Sequence, residues 1–129
     1  MSDQKIIPLL MFNGEAEEAM KFYTSIFEDA AIESILHQEN GGVRHGTFSI
    51  NGQVFMTVDN SKEKIVDCTP AMSLFVTCKR ESEVDYVFQR LSEDGTIVID
   101  LAETPFAVKF AWIIDRFGVS WQLQLEKNG

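Results

Sequence analysis

The chain has 129 residues, room for one domain with a sizeable core and too few for two ordinary ones. Its 45% hydrophobic and 24% charged content is that of a soluble globular protein, and a formal net charge of −9 argues against nucleic acid or an anionic membrane as partner, since both need a basic surface. Two cysteines, Cys68 and Cys78, do not make a secreted disulfide framework, although a disulfide between them is not excluded. The apolar opening "IIPLLMF" is far short of a membrane span and lacks the basic start of a signal peptide. The expectation is a cytoplasmic protein with reduced thiols.

In chain order, "KIIPLLMF" from Lys5 to Phe12 reads as a buried strand, with Pro8 pushing it towards a sheet edge or a bulge. Asn13 is a plausible helix N-cap, with Glu15, Glu17 and Glu18 where the helix dipole favours anions. Ala16, Ala19, Met20, Tyr23 and Phe27 then recur at helical spacing. A strand through Ile32, Ile35 and His37 is broken by "ENGG". "VRHGTFSI" and "QVFMTVD" follow as two strands joined by Asn51-Gly52, a pair suited to the type I′ turn, which needs positive φ at both positions. Asn60 to Pro70 is a polar connector. "AMSLFVTC" is a strand, and "KRESEVDYVFQRLSEDG" a helix with Val84, Val87, Phe88 and Leu91 on its buried face and Gly95 as its C-terminal stop. "TIVIDL", "AVKFAWII" and "VSWQLQL" complete the chain as strands.

The second half repeats the plan of the first. A shift of 64 residues lays Leu10 on Leu74, Phe12 on Val76, Met20 on Val84, Tyr23 on Val87 and Phe27 on Leu91, and at the hairpins a shift of 66 lays Gly52 on Gly118 and Met56 on Gln122. Each half is β-α-β-β-β, and such repeats pack on each other because neither buries its faces alone. The domain is therefore a single one, 1–129, with module one about 1–60 and module two about 70–129.

This tandem repeat resembles the vicinal oxygen chelate superfamily, which includes glyoxalase I, extradiol dioxygenases and bleomycin resistance proteins. "FNGEAEEAMKFYTSIF", "MSLFVTC", "EVDYVFQRLSEDG" and above all "DRFGVSWQL" are similar to its PhnB-like branch, sometimes labelled a 3-demethylubiquinone-9 3-methyltransferase domain. The resemblance implies an α+β fold in which two βαβββ modules form curved mixed sheets around a cleft with the helices outside. It also implies a homodimer. It fixes the chemistry poorly, because one fold carries many functions. The methyltransferase label finds no support in the residues: a glycine-rich strand-to-helix turn in an alternating β/α chain is absent.

The hairpins predict which residues face the cleft. A two-residue turn at Asn51-Gly52 pairs Phe48 with Phe55 on the helix side and turns His45, Thr47, Val54 and Met56 inward. A second hairpin closing over "DRFG" would pair Ile114 with Val119 and Trp112 with Trp121 on the helix side. Lys109, Ala111, Ser120, Gln122 and Gln124 would then face the cleft. The candidate ligand-binding residues are accordingly His45, Thr47, Met56, Met72, Lys109, Ala111, Ser120 and Gln122, with Arg44 a further candidate for an anionic or oxygen-rich ligand.

In metal-binding relatives the cleft has four ligand positions, which by motif fall here on Pro8, Met56, Met72 or its neighbour Ser73, and Gln122. Proline has no ligand atom, thioethers suit soft ions, and the set carries no anionic charge. The expectation is no metal at these positions and no cofactor. His37 and His45 read as one exposed side chain and one lining the cleft rather than as a metal pair. Cys68 and Cys78 read as structural thiols, no GxSxG elbow occurs, and "NGGVRHG" reads as a mobile loop at the cleft rim rather than a phosphate loop. Asp115 and Arg116 fall in the second hairpin, where Asp supports local backbone bonds. Three functions follow: binding of a small organic molecule as bleomycin resistance proteins do, a metal-displaced or metal-free enzyme, or a structural or regulatory dimer with a vestigial pocket.

Overall fold

The computed structural model describes residues 4–60 and 69–127. Its elements run β1 (Leu9–Phe12), α1 (Ala16–Ile26), β2 (Ala30–His37), β3 (Val43–Ile50), β4 (Gln53–Asp59), β5 (Ser73–Cys78), α2 (Glu81–Ser92), β6 (Thr96–Ala102), β7 (Ala107–Ile114) and β8 (Ser120–Glu126). The chain divides into two compact units, Met1–Asp67 and Cys68–Gly129. Each is one four-stranded sheet with one helix, ordered β1-β4-β3-β2 in the first and β5-β8-β7-β6 in the second. The outer pairs β1–β4 and β5–β8 are parallel and the rest antiparallel. The fold class is α+β, as the repeat implied. Most of the polar connector, 61–68 with Cys68, lies outside the described residues.

In the first unit Pro8 shortens β1 to an edge strand, since it has no N–H for the ladder. The Pro8 carbonyl still accepts the Met56 N–H at 2.9 Å. Beyond it the Gln4 side-chain amide stands in for a strand, taking the Val54 N–H at 3.0 Å and donating to the Val54 carbonyl at 3.0 Å. The apolar stripe of α1 buries Ala16, Ala19, Met20 and Tyr23 against β3 and β4. Tyr23 lies 5.9 Å from Phe48, which stacks on Phe55 at 5.0 Å. The Asn51-Gly52 turn has φ of 51° and 86°, and it sets the predicted pairing of Phe48 with Phe55 and Thr47 with Met56.

The cap of α1 differs from the sequence reading. The N-cap is Glu15, without a side-chain bond, rather than Asn13. The buried carboxylate of Asp59, from the end of β4, accepts the N–H groups of Gly14 and Ala16 at 2.9 Å each. Its other oxygen takes the Val43 N–H at 2.8 Å, so one carboxylate ties the helix start to two strands.

In the second unit, Val84, Val87 and Leu91 of α2 are buried, as their spacing predicted. Gly95 is not the left-handed stop: the positive φ of 57° belongs to Asp94. Gly95 is instead demanded by closeness, since a Cβ there would stand 2.5 Å from the Ile114 carbonyl oxygen.

The second hairpin is also corrected. Its loop is Arg116-Phe117-Gly118, closed by the Asp115 N–H bond to Val119 at 2.9 Å and completed by Gly118 at φ 91°. A three-residue loop with a left-handed glycine is an ordinary hairpin solution. It moves the register one residue from the expected one. Ile114 pairs Ser120, Ile113 pairs Trp121, Trp112 pairs Gln122 and Ala111 pairs Leu123. One step of slip exchanges the faces of β7 relative to β8.

Candidate functional site

Each sheet has one face on its helix and one turned away. On the away face of the first unit, Thr47 pairs Met56, which pairs Leu9 of β1, and His45 lies two residues along β3. The structure thus places His45, Thr47 and Met56 on one face, turned away from the helix. Arg44 is the extra residue at a register irregularity, where Leu36 pairs His45 and His37 pairs Val43. The two histidines do not pair. His37 turns to α1, where its Nε2 lies 2.8 Å from Glu17 Oε1. That bond and the neighbouring Lys21 hold the Glu17 carboxyl below the usual range.

On the away face of the second unit, Ser73, Phe75 and Thr77 of β5 pair Ser120, Gln122 and Gln124 of β8, which pair Ile114, Trp112 and Phe110 of β7. Phe75 is 53% exposed. Trp112 Nε1 donates to Ser120 Oγ at 2.8 Å, and Ser120 Oγ lies 2.7 Å from Ser73 Oγ. Gln122 and Gln124 are half-buried, and their amides bond to no other described residue. Ser120 and Gln122 therefore share the face turned away from the helix. Lys109 and Ala111 do not: the register slip carries them to the helix face. Ala111 is buried beside Leu123, and Lys109 Nζ is bound by Asp85 at 2.7 Å and Glu81 at 3.5 Å, both on α2. Asp85 holds the Lys109 ammonium above its ordinary pKa. Trp112 replaces them on the away face, and it was missed. The glycine of "DRFGVS", read as the last residue of a three-residue loop, was the signal that could have found it. Met72 precedes β5 and is 65% exposed.

Cys78 is buried on the helix side of β5, its thiol pushed up to about 12, first by burial and then by the charge of Glu83, so it is no nucleophile. A separate hollow of about 410 Å³ opens between Gly14, Glu17, Lys21, Gly41 and Asp59. The helix N–H groups at its floor already belong to Asp59, and Glu17 to His37 and Lys21. The glycine loop beside it forms a bonded turn: Gln38 N–H to the Gly42 carbonyl at 2.7 Å and Gly42 N–H to Asn40 Oδ1 at 2.9 Å.

A family model described as 3-demethylubiquinone-9 3-methyltransferase matches residues 4–124. The chain belongs to this family. It is 49% identical to the PhnB protein from Bacillus cereus over 95% of this chain and 99% of that one, with a TM-score of 0.91. PA1353 from Pseudomonas aeruginosa is 24% identical over 98% of this chain and 100% of its own, at a TM-score of 0.87. A glyoxylase/bleomycin resistance protein/dioxygenase domain from Frankia sp. EAN1pec shares the fold at a TM-score of 0.72 and 11% identity, covering 98% and 100%. No curated protein matches the sequence.

Within this family member the four positions that hold a divalent ion in chelating relatives do not fit one. The Pro8 carbonyl accepts the Met56 N–H, Met56 and Met72 offer only thioethers, Ser73 Oγ is bonded to Ser120, and Gln122 is neutral. Among the described residues no three His, Cys, Asp or Glu side chains gather as a metal site would need. The buried carboxylates Asp59 and Asp115 are taken up by N–H groups.

Proposed function

We propose that this chain binds a small, neutral, largely apolar organic molecule on the second unit's sheet face turned away from its helix, without a divalent metal at the four positions. The observation that carries this reading is the pair Gln122 and Gln124. Their half-buried amides bond to no other described residue and lie directly across from Trp112 and Phe110. Among the described residues no buried side-chain nitrogen or oxygen lacks a partner, so these amides stay open to a ligand or to water, and the aromatic surface beside them supplies contact area. Along Ser73 to Thr77, Phe110 to Ile114 and Ser120 to Gln124 this face carries no charged side chain, and Glu126 at the end of β8 is anionic. A neutral ligand suits such a surface better than an anion.

Methyl transfer, the activity in the family's name, is not part of this reading. The β1–α1 turn holds a single glycine, Gly14, and its N–H groups are capped from within by Asp59. The homodimer that the resemblance implied belongs to the proposal, as does the cytoplasmic setting. Among the described residues no helix is long and apolar enough to cross a membrane. Sedimentation equilibrium at micromolar concentration tests the dimer.

Native mass spectrometry of the purified protein is the first test of the binding reading, because it shows what co-purifies. A ligand identified this way, at about 100 times its dissociation constant, adds about 2.7 kcal/mol and raises Tm. Gln122→Leu should abolish that rise while the fold persists; an unchanged response removes Gln122 from the site. Stoichiometric Zn, Ni, Fe or Mn held by these residues would overturn the metal-free reading.

A further inference from the structure

The hydrogen-bond chain in the second unit has a direction. An indole N–H can only donate, so Trp112 donates to Ser120 Oγ. Ser120 is 1% exposed, so its own hydroxyl hydrogen has to find an acceptor inside the protein. Among the described residues that hydroxyl meets only Trp112 Nε1 and Ser73 Oγ. The indole nitrogen accepts nothing, which leaves Ser73 Oγ at 2.7 Å as the acceptor. Were Ser73 to donate instead, the Ser120 hydrogen would be buried without a partner. Ser73 therefore keeps its own hydrogen uncommitted, and it is a half-buried residue on the face it shares with Phe75 and Gln122. Successive bonds in such a chain polarise one another, which strengthens the terminal donor.

We propose that Ser73 is a fixed hydrogen-bond donor that selects a neutral carbonyl oxygen on the bound molecule, with Ser120 and Trp112 as positioning residues behind it. This rests on the reading of that face as a binding surface. The uncharged lining favours a ketone, amide or ester over a carboxylate, and Ser73 supplies the donor such an oxygen needs.

The test uses two planar fragments of one shape, acetophenone and α-methylstyrene, which differ by C=O against C=CH2. Binding is followed by NMR through the Trp112 indole N–H and the Gln122 and Gln124 side-chain amides, in the wild type, Ser73→Ala and Ser73→Thr. Ser73→Ala should weaken acetophenone about three- to tenfold, the worth of one neutral hydrogen bond, and leave α-methylstyrene within about twofold. Ser73→Thr, which keeps the hydroxyl, should retain most of the acetophenone affinity. The α-methylstyrene affinity also reports whether the variants keep the fold. Equal losses for both fragments, or none, would overturn the donor role and leave the binding surface standing. If neither fragment moves these signals in the wild type, the binding reading itself fails, and the donor role with it.

Discussion

Asp115→Ala tests what fixes the β7–β8 register, and with it which residues share a face with Gln122. The Asp115 carboxylate is 3% exposed. One oxygen accepts the N–H groups of Phe117 at 2.8 Å and Val119 at 3.0 Å; the other accepts Trp121 Nε1 at 2.9 Å. Alanine removes both acceptor oxygens and with them all three bonds. The Phe117 N–H is only partly buried, so water can take it. The Val119 and Trp121 groups are buried, and each loses about 1–3 kcal/mol. Some of this is returned because folding no longer desolvates a carboxylate. The expected net cost is about 3 kcal/mol. At a urea slope of about 2 kcal/mol per M that lowers the unfolding midpoint by about 1.5 M. Asp115→Asn keeps one oxygen for the Phe117 and Val119 groups and turns an NH2 towards the Trp121 N–H, so it should cost about half as much. Trp121→Phe should shrink the effect of Asp115→Ala, as a double-mutant cycle reads it. A loss below about 1 kcal/mol for Asp115→Ala, or equal losses for alanine and asparagine, would refute this account.

Gly46→Ala should destabilise by about 1–3 kcal/mol, because a Cβ there would stand 2.5 Å from Thr57 Oγ1 and 2.7 Å from Met20 Cε, and an unaltered denaturation midpoint would count against it. Cys78 should resist Ellman's reagent at pH 8 in the native protein and react on unfolding. Its folded pKa is raised to about 12 from an ordinary 9.0, so above pH 9 the unfolded chain ionises first. Stability should fall by up to about 1.4 kcal/mol per pH unit from there towards pH 12, and Cys78→Ala should show a shallower fall in denaturation at stepped pH. Glu17 is lowered by its bonds to His37 and Lys21, so its contribution is present above pH 4.5 and lost as pH falls through its depressed midpoint. A carboxyl NMR titration should place that midpoint below 4.5, and one at or above it would remove the His37 contact from solution.

The two hairpins show how much a sequence can specify. At Asn51-Gly52 the pair itself dictates a two-residue turn, so the register of β3 on β4 and the faces of Phe48, Thr47 and Met56 follow from the residues alone. At "DRFG" two closures are compatible with the same letters. The choice between them is made by Asp115, whose carboxylate binds Val119 and a tryptophan six residues on. The glycine at Gly118 offers the three-residue closure, but the bond from Asp115 to Trp121 that favours it lies beyond the turn and leaves no local signature. The helix cap is a similar case. Asn13 sits at the expected place in the sequence, but Asp59 reaches the helix start from 43 residues away from Ala16. The apolar spacing of α1 and α2 was readable because burial repeats along one element. What decided Lys109 and Ala111 was a pairing between elements.

The two buried carboxylates also bear on the chemistry left to this chain. An interior acid either meets a cation or is satisfied by N–H groups, because an uncompensated buried charge is too costly to persist. Among the described residues the buried charged side chains are Asp59 and Asp115. Asp59 holds Gly14, Ala16 and Val43, and Asp115 holds Phe117, Val119 and Trp121. For either carboxylate to ligate an ion, bonds that define a helix start or a hairpin register would have to be released. The exposed acids have no such duty, yet among the described residues they do not gather into a donor set. What remains undirected on the away face of the second unit is neutral: two amides, a hydroxyl at the end of a hydrogen-bond chain, and aromatic surface. Such groups recognise a molecule by shape and by uncharged donors and acceptors. The interior charge of this fold serves its architecture, and its neutral polar groups are the ones free to meet a ligand.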